Sequence, residues 1–460
     1  MSRLLKTLKD TGAIRWVALL CLALPMFASY FFDDIFSTIS QEFEDPSMVA
    51  LGWSMEDYGY YRSAYSLLCI FGGLIICGML LDRWGVRLTG SVFVALMVGG
   101  AALIAYAISE SFADSRLCGW LSGVFAKPSL SLAYAGCAMF GLGSEIAGVT
   151  VNRAIAKWFK GREIALAMGL QLALARLGTA VALIVVPRIV NTEGYIPFAE
   201  TSRPAAVGLG LLLMALVLWA LFVAMDLRFD RCRGLSAAEA GMRTAPEDRF
   251  RFRDVIKVIT NRHFLLVSLL CVFFYCCVVS FRKFATAILM PRFGIDSDVA
   301  SVMVAMIPFF TLVFAPLFGA VVDRVGRGTK IMIIGSAMIL FSHLTVAFAP
   351  GVPAFGFIAI GVLGLGYSLV PAAMWPSIPK IIAENKLGTA FSLVYWVQNI
   401  GLFTVPIVVG HIMDRASSPV VAEYFFIGLA VCAVIVAVLL SRSSDRHPEL
   451  DLDGKAGGRA

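Results

Sequence analysis

Apolar residues run through this chain in long blocks, and polar residues gather between the blocks. Twelve blocks stand out, at 14–38, 57–81, 88–109, 129–157, 163–190, 203–226, 262–291, 297–321, 329–349, 354–382, 386–413 and 420–441. A helix of about 20 such residues crosses the ~30 Å hydrocarbon layer of a bilayer. Lipid offers no partner for open backbone groups, so each block is predicted to be helical throughout. The pattern therefore predicts an all-α membrane protein with twelve transmembrane helices, spans 1 to 12.

Composition agrees. The chain is 59% hydrophobic and 15% charged, with a mean hydropathy of +0.84, whereas soluble domains are about 45–50% apolar and about 25% charged. A net charge of +7 would suit a nucleic-acid partner, but its placement excludes one. About 27 of the 38 Lys and Arg residues fall in the N-terminus, the tail and every second connection, against about 6 in the alternate connections. That asymmetry marks the cytoplasmic side, so both termini are expected in the cytoplasm. "MSRLLKTLKD" runs into span 1 without a small-residue cleavage site and reads as a retained first helix. No Asn-x-Ser/Thr sequon occurs, which favours a bacterial inner membrane over a glycosylating compartment. The cysteines form no Cys-x-x-Cys pair; Cys69, Cys77 and Cys271 lie inside apolar blocks as packing thiols, and the adjacent Cys276 and Cys277 are not expected to bridge.

The chain contains a duplication. "GMLLDRWGVR" (78–87) closes span 2 and "GAVVDRVGRG" (319–328) closes span 8, 241 residues later. "FGLGSE" (140–145) corresponds to "LGLGYS" (363–368), and "GLQLALARLG" (169–178) to "SLVYWVQNIG" (392–401), both 223 residues apart. The difference of 18 residues sits in the longer third connection, "ESFADSRLCGWLSGVFAKPS". Two six-helix bundles are thus expected, 1–226 and 262–441, joined by a basic cytoplasmic linker at 227–261 and followed by a tail at 442–460. Repeated six-helix halves of this kind are a transporter architecture. The linker's charges are expected to be solvated.

The doubled G-x-x-x-D-R-x-G-x-R loop resembles the signature of the major facilitator superfamily, and the resemblance covers the whole chain. It implies that family's fold, two pseudo-symmetric bundles around a central site. It also implies a cytoplasmic latch formed by Gly78, Asp82, Arg83 and Gly85, and in the second copy by Gly319, Asp323, Arg324 and Gly326; Arg153, one turn from the cytoplasmic end of span 4, is placed to partner Asp82. Physically, Asp82 and Asp323 can accept from backbone N–H groups at a neighbouring helix start. The arginines can stay at the headgroups, and the glycines permit a tight turn and close helix approach. Neither copy is perfect: Val86 precedes Arg87 in the first, and Gly328 follows Arg327 in the second.

Charges inside the spans are functional candidates, because each is costly in lipid unless paired or hydrated. Glu145 lies about 18 Å from the cytoplasmic end of span 4, and Arg176 about 21 Å into span 5. The short "KGR" connection predicts that these spans are antiparallel neighbours, with both charges at one level. Their equivalents 223 residues on are Ser368 and Asn399, so the fold itself does not need the charges. A structural ion pair is one reading. The other is a site for a zwitterion, with Glu145 on the ammonium, Arg176 on the carboxylate and each countering the other when the site is empty. Nearer the outside, Asp33 and Asp34 of span 1 and Arg282 and Lys283 of span 7 fit an outer gate closed by ion pairing as well as substrate contact. Arg62 either joins them or snorkels to the headgroups. Tyr30, Tyr65, Trp375, Trp396, Gln398 and Asn399 are further candidates for the cavity wall, with packing as the alternative. Pro371, Pro376 and Pro379 suit a bending span 10. His343 and His411 read as satisfied histidines that could also carry a proton.

Three longer stretches, "WFKGREIALAMGLQLALARLG" (158–178), "LGLGYSLVPAAMWP" (363–376) and "LGTAFSLVYWVQNIGL" (387–402), resemble the lysosomal dipeptide uniporters, the family called major facilitator superfamily domain-containing protein one. The resemblance implies that Glu145 and Arg176 clamp the two ends of a dipeptide, and that Asp34, in "ASYFFDD", holds the family's acidic position on span 1. The "FRKF" charges of span 7 do not align cleanly. The family's animal members carry an acidic dileucine signal and an accessory subunit. Here "RLLK" lacks the acidic lead-in and no long lumenal loop is present, so a bacterial monomer without an accessory subunit is expected. The "ExxER" motif of proton-coupled oligopeptide transporters is absent from span 1.

The leading expectation is alternating-access transport of short peptides, dipeptides first. Its rivals are an organic-anion or monocarboxylate exchanger using Arg176 and Arg282, a proton-coupled peptide symporter, and a silent receptor or scaffold. No nucleophile–base pair, metal-ligand cluster or phosphate loop stands out, so no enzyme activity, metal or cofactor is expected.

Overall fold

A computed structural model describes residues 12–40, 43, 52–159, 164–190, 202–233, 255, 258–382, 387–450 and 452–454. Among these, twelve helices are long and apolar enough to cross a membrane: α1 (Ala13–Asp34), α2 (Met55–Leu81), α3 (Arg83–Ala107), α4 (Pro128–Trp158), α5 (Leu166–Val190), α6 (Ser202–Asp230), α7 (Arg262–Phe293), α8 (Ser297–Val325), α9 (Gly328–Phe348), α10 (Pro353–Ile381), α11 (Ala390–Arg415) and α12 (Pro419–Arg446). An even number of crossings puts the start of α1 and the end of α12 on one face, the entry face; the other is the far face. On the far face the 18-residue insertion forms two short helices, Glu110–Ala113 and Arg116–Ser122. Each starts at a serine whose hydroxyl accepts a backbone N–H of the first turn: Ser109 from Phe112 at 3.3 Å and Ser115 from Cys118 at 3.1 Å.

Two spans are irregular near their middles. In α2 a π-helical turn covers Cys69–Gly73, and Gly72 takes φ 86° there, which side-chain-bearing residues avoid. The break releases the carbonyl of Ile70, and Trp396 of α11 donates its indole N–H to it at 2.6 Å. In α7 a π-helical turn at Cys276–Ser280 precedes Phe281–Arg282–Lys283 and resets which face those residues present. Cys276 and Cys277 are buried and free, as the sequence suggests. By contrast α10 runs unbroken through Pro371, Pro376 and Pro379.

The doubled loop turns at equivalent glycines, Gly85 with φ 76° and Gly326 with φ 68°. Other parts of the latch expectation need correction. A Cβ at Gly319 would meet nothing within 4 Å, so this glycine mediates no close helix approach. Asp323 is exposed, and the helix start beside it is capped from elsewhere: Thr329 donates its backbone N–H to Asp453 at 2.8 Å. Arg83 and Arg324 are exposed, in keeping with a headgroup position. The surroundings of Gly78 and the side chain of Asp82 lie outside the described residues, and with them the Asp82–Arg153 pair.

The linker boundary also shifts. α6 continues past residue 226, and Asp230, expected in a solvated linker, is 4% exposed. It joins Asp226 in a buried cluster with Arg87 and Lys157. Lys157 Nζ donates to Asp226 Oδ2 at 2.8 Å and to Asp230 Oδ2 at 2.9 Å, and Arg87 Nε to Asp226 Oδ2 at 2.6 Å. Arg87 also pairs with Asp230, and Trp158 donates its indole N–H to Asp226 at 2.7 Å. Two acids against two bases make the cluster neutral, so it ties α3, α4 and α6 together without a net buried charge. Asp226→Ala should therefore cost about 3 kcal/mol, because it leaves Arg87 and Lys157 against Asp230 alone and removes the acceptor of Trp158. The measurement is the thermal unfolding midpoint of the detergent-solubilised protein, with Asp226→Asn expected to fall less.

Between the two halves, α2 packs along α11 and α5 packs against α8. No contact of that extent joins α4 or α5 to α10 or α11 among the described residues, so the seam is tightest along α2 and α11.

Candidate functional site

A cavity of about 140 Å³ lies in this seam, lined from α1, α2, α4 and α5 on one side and α7, α10 and α11 on the other. Two glycines shape its N-terminal wall. A Cβ on Gly141 would overlap the backbone carbonyl of Tyr65, and one on Gly178 would overlap that of Phe27. The first contact brings α2 against α4 one helical turn before Glu145. The second brings α1 against α5 beside Arg176.

Glu145 Oε1 accepts a hydrogen bond from the Tyr65 hydroxyl at 3.1 Å. That hydroxyl also lies 3.3 Å from Ser144 Oγ, which is 2.6 Å from Ser29 Oγ. Glu145 is thus held by a polar string from α1 and α2 while one carboxylate oxygen stays uncommitted. Arg176 is held by rings: its guanidinium carbon is 5.8 Å from the Tyr30 centroid and 5.3 Å from that of Tyr367. Such contacts are worth up to about 2 kcal/mol each when desolvated, but they do not neutralise the charge. Arg176 Nε has no hydrogen-bond partner.

The expected pairing of Glu145 with Arg176 in the empty site is not formed. No ion pair within 4.0 Å joins them, although both face the same cavity. The reason is the packing. α5 lies mainly against α1 and α8, and α4 mainly against α3 and α2, so consecutive spans 4 and 5 are not close neighbours despite their short connection.

The far end of the cavity is a charge cluster. Arg62 Nη2 meets Asp33 Oδ1 at 2.8 Å; Lys283 Nζ meets Asp33 Oδ2 at 2.6 Å and Asp34 Oδ1 at 2.5 Å. Arg282 Nη2 lies 3.1 Å from Asp34 Oδ2. α1 ends at Asp34, four residues before the block at 14–38 does. Carboxylates are disfavoured at a helix C-terminus, where the last carbonyls also lack partners. The cations answer both problems: Arg62 and Lys283 each donate to the carbonyl of Asp33 at 3.0 Å. The cluster binds α1 and α2 to α7, one half to the other, and Arg62 belongs to it rather than snorkelling.

Of the residues singled out from sequence, Tyr30, Tyr65, Glu145, Arg176, Arg282, Lys283 and Gln398 line the cavity, and Asp34 sits fully buried behind it. Trp375, Trp396 and Asn399 do not line it. Trp375 stacks on Tyr395 at 5.2 Å, Trp396 donates to the Ile70 carbonyl at the break within α2, and Asn399 donates to the carbonyl of Tyr395 at 3.0 Å. His343 is paired with buried Glu423 at 2.8 Å, and His411 with Glu56 at 3.2 Å. Asp33 and Arg62, which the sequence places among the outer charges, line it as well, and the wall also contains Ser144, Tyr275 and Tyr367, which the sequence pattern does not single out. Tyr367 precedes Ser368, the equivalent of Glu145, and that proximity was the available signal.

A family model described as Major Facilitator Superfamily matches residues 17–287 and 268–459. The lysosomal dipeptide transporter MFSD1 of Danio rerio is 30% identical over 443 residues, covering 94% of this chain and 88% of that protein. The protein of the same name from Homo sapiens is 28% identical over 443 residues, covering 93% and 86%. Among solved structures, the nucleoside transporter NupG superposes with a TM-score of 0.67 at 12% identity, covering 92% of this chain and 99% of that one. A D-xylose–proton symporter gives 0.66 at 15%, covering 93% and 96%. These two show the fold alone.

Proposed function

The chain belongs to the major facilitator superfamily and is a multi-pass membrane transporter related to MFSD1, and we propose that its cargo is a short peptide, a dipeptide first, held between Glu145 and Arg176. One observation carries the reading: two opposite charges face a single cavity without satisfying each other. A zwitterion meets both at once. Its ammonium donates to the free oxygen of Glu145, and its carboxylate accepts the fork of Arg176, which the two tyrosine rings hold in place. The name of the relatives supports the same class of cargo.

Transport then proceeds by alternating access. The Asp33–Asp34–Arg62–Arg282–Lys283 cluster closes the far side, and the seam must open there for the opposite state. The placement of basic residues supports a cytoplasmic entry face, with both termini on that side. The absence of a glycosylation sequon supports a bacterial inner membrane.

Glu145→Gln tests the cargo. With Ala-Ala as ligand, it should weaken binding by about tenfold or more, since it removes a charge-assisted bond to the ammonium. Succinate, which has no amine, should be indifferent to the change. Calorimetry on the purified protein reads both, and equal loss for the two ligands would favour an organic-anion transporter.

A further inference from the structure

The charges around the cavity do not balance. Three carboxylates, Asp33, Asp34 and Glu145, stand against four cations, Arg62, Arg176, Arg282 and Lys283. A dipeptide with an uncharged side chain adds one ammonium and one carboxylate and leaves the excess unchanged. An unneutralised charge at this depth is unfavourable, so the identity of the surplus cation bears on the cargo.

Arg282 is that cation. Arg62 and Lys283 donate hydrogen bonds to the carboxylates and to the carbonyl of Asp33. Arg176 has its proposed ligand in the peptide carboxylate. Arg282 lines the cavity with a side chain 5% exposed, and among the described residues it donates no hydrogen bond. Its contact with Asp34 Oδ2 is electrostatic: that oxygen and Arg282 Nε both lack hydrogen-bond partners. A guanidinium carries five N–H donors, and leaving them unmet in a buried site is costly. Lys283 Nζ holds the other oxygen of Asp34 at 2.5 Å, and Ser37 donates its hydroxyl to that same oxygen at 3.2 Å. Asp34 therefore keeps one cation, Lys283, when the guanidinium turns to a ligand.

We propose that Arg282 is a specificity residue that receives a second carboxylate, so that the preferred cargo is a dipeptide carrying an aspartyl or glutamyl side chain. The proposal rests on the dipeptide reading above. It adds a subsite at the far end of the cavity, where the acidic side chain cancels the surplus charge and accepts the unused donors. Cationic side chains meet repulsion at the same place.

The test is a ligand panel on the purified full chain, by calorimetry at neutral pH, using Ala-Ala, Ala-Lys, Ala-Glu and Glu-Ala. The better of the two acidic peptides should bind at least about tenfold tighter than Ala-Ala, with Ala-Lys weakest. Arg282→Gln should bring the ratio between that peptide and Ala-Ala to about one, a readout that a purely structural role would leave alone. Equal affinity for neutral and acidic peptides on the unmodified protein overturns the proposal, as does a preference that survives Arg282→Gln. If Ala-Ala and the acidic peptides all fail to bind while succinate does, the dipeptide reading falls and this proposal with it; equal binding of the peptides sinks this proposal alone.

Discussion

Arg176→Ala should abolish dipeptide transport and weaken Ala-Ala binding by about a hundredfold or more. Truncating one member of a buried, hydrogen-bonded charge pair costs about 2–5 kcal/mol or more, and each 1.4 kcal/mol is tenfold. Arg176→Lys should recover only part of this, since an ammonium lacks the planar fork and fits less well between Tyr30 and Tyr367. The fold should survive the change. Arg176 makes no ion pair in the empty protein, and the equivalent position on α11 is the neutral Asn399. The ligand-free unfolding midpoint should therefore change little, because removal of an uncompensated buried charge offsets the loss of its two ring contacts. If Arg176 were a structural partner of Glu145, the midpoint would fall sharply. A variant that binds Ala-Ala normally would remove Arg176 from the site altogether.

Which parts of this site could be read from sequence follows from what a repeat and a hydropathy pattern can carry. Spans are encoded locally, by runs of apolar residues, so all twelve are legible and only their ends drift, as at Asp34 and Asp230. Charges within those runs stand out against lipid, which is why Glu145, Arg176, Asp34, Arg282 and Lys283 could be named. Lateral packing is another matter. Connection length suggested that spans 4 and 5 were neighbours, but glycine contacts at Gly141 and Gly178 set the real partners, and these join residues far apart in sequence. Aromatic residues give no such contrast with lipid. Tyr367 and Tyr275 therefore passed unremarked while Trp375 and Trp396, equally aromatic, were expected in the wall and lie outside it. The Arg87–Asp226–Asp230–Lys157 cluster was hidden for a third reason: its acids lie 139 and 143 residues from Arg87 and sat beside a linker that looked solvated.

Gly410→Val should nearly abolish transport by a different route, without touching the ligand. α2 and α11 meet backbone to backbone near the far face. A Cβ on Gly410 would overlap the carbonyl of Met55, and one on Gly59 would overlap that of Pro406. No side-chain rotation relieves either clash, because the obstacle is main chain. Valine at 410 must therefore push the helices apart, by about 1 Å or more given ordinary van der Waals spacing. The neighbouring His411–Glu56 contact at 3.2 Å would then be disrupted. So would the fit of Lys283 to Asp33 and Asp34, whose bonds span the same seam. If far-side closure is an obligatory step, the uptake of Ala-Ala into liposomes should fall at least about tenfold, since loss of one buried charge contact already amounts to 1.4 kcal/mol or more. Gly210→Val is the control, because a Cβ there meets nothing within 4 Å. A cysteine introduced at Ser280, on the cavity wall, with the native cysteines replaced by alanine, should react faster with an impermeant maleimide applied to the far face. Wild-type transport by Gly410→Val, or a reporter that stays protected, would show that the α2–α11 contact does not gate the far side.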